Sequence, residues 1–378
     1  MSAHLVHGMG TENVAPDWPA LTGAETDTLL RRYPEAGGAA RLLWLSPRPL
    51  SAAGVVETVR GGTVFVKRHH RSVRTVGGLL EEHGFLAHLR QRGAPVVRVL
   101  ADAAGRTAVA DGEWTYELHT LGDGEDLYQD AISWSPFADL AHARAAGRAL
   151  AALHQAAEGY DAPHRAPQPL VAGFSVFAAP DPFAAVEQYA ADRPAVAAQL
   201  AGRAWRADLE RWHLPFHEHL RPHLADIEPL WTHNDLHASN LLWSGGERAE
   251  VATILDFGLA DRAYAIHDLA TAIERNAVEW LALEAKGPDA VHADAAVALV
   301  EGYLEIRKLT DAERVALPDL LALSHTDYAL SELDYFGGVT RSPSNAELAY
   351  RYLIDHTAWF AGPVGGALLD RLRSTLEA

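Results

Sequence analysis

Cysteine is absent from the 378-residue chain. That absence excludes a disulfide scaffold, a thiolate zinc site, an iron–sulfur cluster and a cysteine nucleophile. Long hydrophobic runs are missing too: nothing approaches the roughly 18 apolar residues of a membrane span. The uncharged stretch 166–180 is itself broken by proline and glycine. The first ten residues, MSAHLVHGMG, show neither a basic nor an apolar segment of the signal-peptide kind, so a cytoplasmic protein is expected. Basic charge is in deficit, with a net charge of −18, which argues against nucleic-acid binding, because phosphate backbones demand basic patches. Lysine is scarce, with 3 against 29 arginines.

The charge is unevenly spread. Residues 1–120 hold 12 acidic and 13 basic residues, net +1, so the remainder carries −19. A field of that sign favours solubility and, more specifically, a cationic ligand. At roughly 150 residues per domain the length allows about two to three domains.

Residues 1–20 read as a flexible tail. Residues 21–120 read as a strand-rich lobe that opens with a helix at Thr22, where Glu25 completes a capping box. Strands are expected at 41–46, 54–59, 63–68, 96–100, 107–110 and 114–119, with a turn at Asp111-Gly112 and a helix over 76–92. Residues 121–378 read as a larger, mainly helical lobe, with helices near 136–158, 182–203 and 205–225 and a β-like island at 230–255.

That island carries the strongest chemical signal. His233-Asn-Asp235-Leu-His-Ala-Ser-Asn240 is followed at a short distance by Asp256-Phe-Gly258. Asp235 can accept a proton from an attacking hydroxyl, while the amide of Asn240 and the carboxylate of Asp256 offer the few oxygen donors that suit Mg²⁺ on a phosphate substrate. The spacing matches the H-x-D-x-x-x-x-N and D-F-G segments of phosphoryl transfer. One of the three lysines, Lys67, stands in the strand Val64-Phe-Val-Lys67, where a compact ammonium suits nucleotide phosphates. Glu82 is its expected partner on the next helix: Leu86 and Leu89 follow it at +4 and +7, whereas the adjacent Glu81 reads as a solvated charge.

With these residues in view, the sequence resembles the aminoglycoside phosphotransferase and choline kinase-like family of small-molecule kinases from about Arg41 onward. Further points of resemblance are Pro95, Leu150-Ala-Ala-Leu-His154 and Asp268-Leu-Ala. The resemblance implies an α+β, protein-kinase-like bilobal fold with a small antiparallel sheet lobe and a larger helical lobe. It implies that Asp235 is the catalytic residue, that Asn240 and Asp256 bind magnesium, and that ATP or GTP is the donor. Lys67 and Glu82 would serve the nucleotide, Glu117 and His119 would form the adenine-facing hinge, and Ser51 would sit in the phosphate loop. Asn234 stands where the family usually has Gly, and Ala238 where Pro or Gly is frequent. The phosphate loop Ser51-Ala-Ala-Gly54 has a single glycine.

Other patterns argue less. No G-x-x-x-x-G-K-[ST] occurs, and Gly8-x-Gly10 lacks a third glycine. His213/His217 and His219/His223 have zinc-like spacing, but Pro215 interrupts that helix and no H-E-x-x-H is present. His154 reads as a satisfied core histidine. A protein kinase would want Lys or Ala at His237 and an A-P-E segment, both absent, and a pseudokinase would lack one of Lys67, Asp235 or Asn240. The expected acceptor is a small-molecule hydroxyl, amine-bearing as in aminoglycosides, other antibiotics or a related metabolite. The choline, homoserine and sugar types are the alternative. Its expected binding helix is 324–336, with Asp327, Ser331 and Asp334 on one face, Tyr328, Glu332 and Tyr335 on the next, and Gly337-Gly338 as its end.

Overall fold

The computed structural model describes residues 4–245 and 250–377. The chain divides into two compact units, 1–123 with 253–255, and 124–252 with 256–378.

In the first unit, strands β1 (Val6–His7) and β2 (Asn13–Val14) pair antiparallel. The segment read as a flexible tail therefore carries a hairpin. Val6 is buried and the His7 amide donates to the Pro47 carbonyl at 2.8 Å, which fixes the segment against the chain. Helix α1 (Gly23–Leu30) begins at the expected capping box of Thr22 and Glu25. Strands β3 (Ala39–Leu45), β4 (Ala52–Thr58) and β5 (Thr63–His70), helix α2 (Val76–Gln91), and strands β6 (Ala108–Asp111) and β7 (Trp114–Thr120) follow. The sheet order is β3-β4-β5-β7-β6, antiparallel throughout. Alternation of apolar residues decides which face is covered: Val64, Val66, Val56 and Leu118 bury one face against Leu30 and Tyr33. The other face of β5 and β7 carries Lys67, opposite Glu117 in register.

Two expectations need adjusting here. Residues 96–100 make isolated bridges at Val96 and Val99 rather than a strand. The β6–β7 turn is Gly112-Glu113, since Asp111 still pairs with Trp114.

The second unit opens with α3 (Leu140–Ala157), capped by Asp139. The expected helices 182–203 and 205–225 are each split. Pro194 opens a new helix and Pro215 another, giving α4 (Pro182–Ala191), α5 (Pro194–Leu200), α6 (Trp205–Trp212) and α7 (Leu214–Leu224). Strands β8 (Pro229–Thr232), β9 (Leu241–Trp243), β10 (Val251–Ile254, its last two residues counted in the first unit) and β11 (Asp261–Tyr264) come next. The β8–β11 pair, Thr232 opposite Asp261, is a strand pairing that lies beyond the sequence reading. Helices α8 (Ala265–Ala277), α9 (Leu283–Lys286), α10 (Ala293–Ile306), α11 (Asp311–Leu321), α12 (Thr326–Asp334), α13 (Pro343–Phe360) and α14 (Pro363–Glu377) complete the unit. Gly337-Gly338 do not end α12, because a π-helical turn, Tyr335–Val339, continues through them. Among the described residues no helix is long and apolar enough to cross a membrane.

Candidate active site

The loop 233–240 leaves β8 and is tied down by α3 and α8. Asp268, fully buried on α8, accepts from the His233 amide and the Asn234 amide, each at 2.8 Å, and from His154 Nε2 at 3.0 Å. Burial pushes the Asp268 carboxyl up, but the hydrogen bond and charge of His154 and the donors at His233 outweigh it and hold it below the usual range. His154 is indeed a satisfied core histidine, its other ring nitrogen lying 2.7 Å from the Tyr303 hydroxyl. It also buttresses the carboxylate that positions the loop. Asn276, next to the last residue of α8, accepts from the Ala238 amide at 3.0 Å and donates to the Leu236 carbonyl at 3.0 Å.

The loop needs a left-handed backbone at Asn234, φ +61°. Asn is among the few residues besides Gly that enter that region. Its side chain is paired as well: Oδ1 accepts from the Thr232 hydroxyl at 2.7 Å and Nδ2 donates to the Ala172 carbonyl at 2.7 Å. The replacement of the usual glycine thus keeps the geometry.

Asn240, in a 3₁₀ turn, donates through Nδ2 to the Asp235 carbonyl at 2.9 Å and to Asp235 Oδ2 at 3.3 Å. With its nitrogen committed, the amide offers its oxygen, the atom a hard cation takes. Asp256, exposed and at φ +55°, begins the D-F-G turn and accepts from the Gly258 amide at 3.3 Å. Asn240 and Asp256 are therefore both oxygen donors, and the set fits Mg²⁺. Asp235 itself forms an ion pair with Arg275 of α8, a fully buried residue that the sequence reading missed. The Arg275 guanidinium lies 4.6 Å from the Trp134 ring centre and 5.1 Å from that of Tyr328. No local pattern marks Arg275, because only the packing of α8 and α12 against the loop brings it to Asp235.

The expected acceptor helix divides. Tyr328 belongs with Arg275, its ring 6.0 Å from Trp134 and 6.3 Å from Tyr352. Glu332 is buried beside them, and burial pushes its carboxyl up to about 8. Asp327 is corrected: its carboxylate accepts from the Ser175 amide and hydroxyl, both at 2.6 Å, and from the Val176 amide at 3.2 Å. It clamps the 175–176 loop, the role its three hydrogen bonds give it. Asp334 stands apart, its carboxyl raised by burial against the opposing charge of Arg193.

In the first unit, Lys67 lies half-buried on β5 and Glu82 is buried on α2, while Glu81 is half-buried rather than solvated. Ser51 occupies the bend before β4, as expected of a loop residue, but Gly54 lies within β4 opposite Val66. Glu117 and His119, expected at the hinge, lie inside β7, which stays paired to Thr120, and their side chains join a histidine cluster. The zinc-like pair His213/His217 is also accounted for otherwise. Both rings pack on Phe177, and His213 Nε2 donates to the Leu353 carbonyl at 3.0 Å.

Residues 54–317 match the profile of a phosphotransferase enzyme family. No curated protein matches the chain. Three solved structures show the same fold. A microcompartment-associated aminopropanol kinase is 21% identical with a TM-score of 0.59, covering 93% of this chain and 97% of that one. An aminoglycoside phosphotransferase from Alicyclobacillus acidocaldarius is 18% identical with a TM-score of 0.56, covering 95% and 98%. An amicoumacin kinase in complex with AMP-PNP, Ca²⁺ and its antibiotic is 14% identical with a TM-score of 0.54, covering 89% and 93%.

Proposed function

The chain belongs to the phosphotransferase enzyme family, and on that premise we propose that it transfers the γ-phosphoryl group of ATP or GTP to a hydroxyl of a small organic molecule. The observation that carries this reading is the geometry around Asp235. Its carboxylate is oriented by Asn240, paired with Arg275, and mounted on a loop whose amides are held by Asp268. Asp235 accepts the proton as the acceptor oxygen bonds to phosphorus and the bond to the nucleoside diphosphate breaks. Arg275 places a positive charge beside that carboxylate. Asn240 and Asp256 would hold Mg²⁺, which when bound neutralises charge on the phosphate oxygens. Lys67, with Glu82 of α2 as its proposed partner, is assigned to the nucleotide phosphates.

Trp134 and Tyr328 pack on the Arg275 guanidinium beside Asp235, and we assign the acceptor hydroxyl to that side of the carboxylate. There the chain's own guanidinium already occupies the aromatic faces, and burial raises the Glu332 carboxyl to about 8. The acceptor class we propose is an amine-bearing molecule, with the choline, homoserine and sugar types as the alternative. The test is a panel of these acceptors in an assay coupled to nucleoside diphosphate release. Asp235→Asn should lower turnover by roughly 10²–10⁴ while nucleotide affinity is retained. Turnover near wild type in that variant would remove Asp235 from the chemistry.

A further inference from the structure

We propose that His83, His119 and Glu117 form a transition-metal site in the first unit, suited to Zn²⁺, with His69 holding the carboxylate in place. The site follows from strand periodicity. Glu117 and His119 are two residues apart on β7 and so share a face, and His69 comes to the same face from the neighbouring strand β5. His83 descends onto it from α2. One helix and two adjacent strands thus send three imidazoles to a single carboxylate.

The donor atoms of His83, Glu117 and His119 all lie within 4.8 Å of one another, the one such group among the described residues. Glu117 Oε2 is 2.8 Å from His83 Nε2 and 3.0 Å from His119 Nε2. Donors at 2.0–2.1 Å from a tetrahedral ion stand about 3.4 Å apart, so these need separate by only about half an ångström to admit one. His69 Nε2 is 3.0 Å from the other carboxylate oxygen, Oε1, and His83 Nδ1 is 2.9 Å from the Thr107 hydroxyl. These are the outer contacts that fix a ligand's orientation and tautomer in metal sites. Binding moves the ring proton of each ligating imidazole from Nε2 to Nδ1, and Thr107 is placed to accept it from His83.

Burial and donor chemistry select the ion. Side-chain exposure is 1% at Glu117 and 5% at His83, against 13% at His119, which leaves an approach on the His119 side. Two imidazoles and a carboxylate favour zinc over magnesium, which prefers an all-oxygen octahedral shell. Three protein ligands leave a fourth position for water. The ion would cross-link α2 to β7, and this inference stands on the cluster alone, independent of the phosphotransferase reading.

The test uses the untagged, metal-stripped full chain, titrated with Zn²⁺ in excess Mg²⁺ so that oxygen-donor sites are occupied. The expected result is one equivalent of zinc retained through gel filtration and X-ray absorption showing imidazole scattering. His83→Gln and His119→Gln should each weaken zinc affinity at least about 10-fold, whereas His219→Gln, at an exposed site, should leave it unchanged. Should either cluster variant misfold, the absorption spectrum of the wild-type chain still decides. Failure to retain stoichiometric zinc, an all-oxygen shell, or equal affinity in both folded cluster variants would overturn the site.

Discussion

Asn234 combines a left-handed backbone with a buried, fully used amide, so its two contributions can be separated by substitution. Asn234→Gly keeps the backbone conformation and removes the side-chain bonds. Asn234→Ala removes the same bonds and adds the cost of placing a Cβ at positive φ, about 1–2 kcal/mol. The alanine variant should therefore be less stable than the glycine variant by about that amount, read as a difference in denaturant unfolding free energy. Equal stabilities would mean that the loop relaxes out of the left-handed region. His154 is a second case. His154→Ala leaves a fully buried Asp268 without its side-chain donor, a loss of about 1–3 kcal/mol. Because the Asp268 carboxylate also holds the amides of His233 and Asn234, turnover should fall while nucleotide affinity stays. A normal turnover number in a destabilised His154→Ala protein would confine His154 to the core.

Among the elements, α3 and α10 pack directly on one another. Gly147 of α3 faces the Leu299 carbonyl and Gly302 of α10 faces the Arg144 carbonyl, each so near that a Cβ would collide with backbone. The helix carrying His154 is set at this depth by those two glycines. Gly302→Ala should force the helices apart and cost about 1–3 kcal/mol, the range for overpacking, visible as a lowered Tm. A Tm at or above wild type would show that the pair separates freely. Salt bridges across the same pair, Arg144 to Glu301 and Glu305, are surface-exposed and should contribute little by comparison.

At the scale of the whole molecule, buried titrating groups in the second unit set opposing pH slopes. Burial lowers His213, His325 and His356 to about 3. The unfolded chain binds their protons near 6.5, so their contribution is present above that pH and is lost as pH falls toward 3. Burial raises Glu274 to about 7 and Glu332 to about 8. Their contribution is full below about 4.5 and is lost as pH rises through those values. Stability should therefore fall on both sides of mildly acidic pH. In thermal unfolding measured across pH, Glu332→Gln should flatten the alkaline limb and His213→Gln the acid limb. An alkaline limb unchanged in Glu332→Gln would show that Glu332 ionises freely when folded.

Local pattern alone carried the capping box at Thr22, the strands β4, β5 and β7, the choice of Glu82 as the buried acid on α2, and the 233–240 loop with the D-F-G turn that follows it. These are legible because each depends on residues within a turn or a strand of one another, where spacing and chemistry coincide. Of the two proline breaks, the one at Pro215 was read from the sequence and the one at Pro194 was not. Beyond local reach, the acidic stripe on α12 looked like a ligand surface, yet tertiary packing buries it and commits Asp327 to the amides of Ser175 and Val176, 151 and more residues away. The same packing brought Arg275 to Asp235 and assembled His69, His83, Glu117 and His119 from three elements. A buried charge must find its partner wherever the fold supplies one. The sequence by itself therefore determined the family and its reaction class, whereas the partners of the buried ionisable groups were decided only by the folded core.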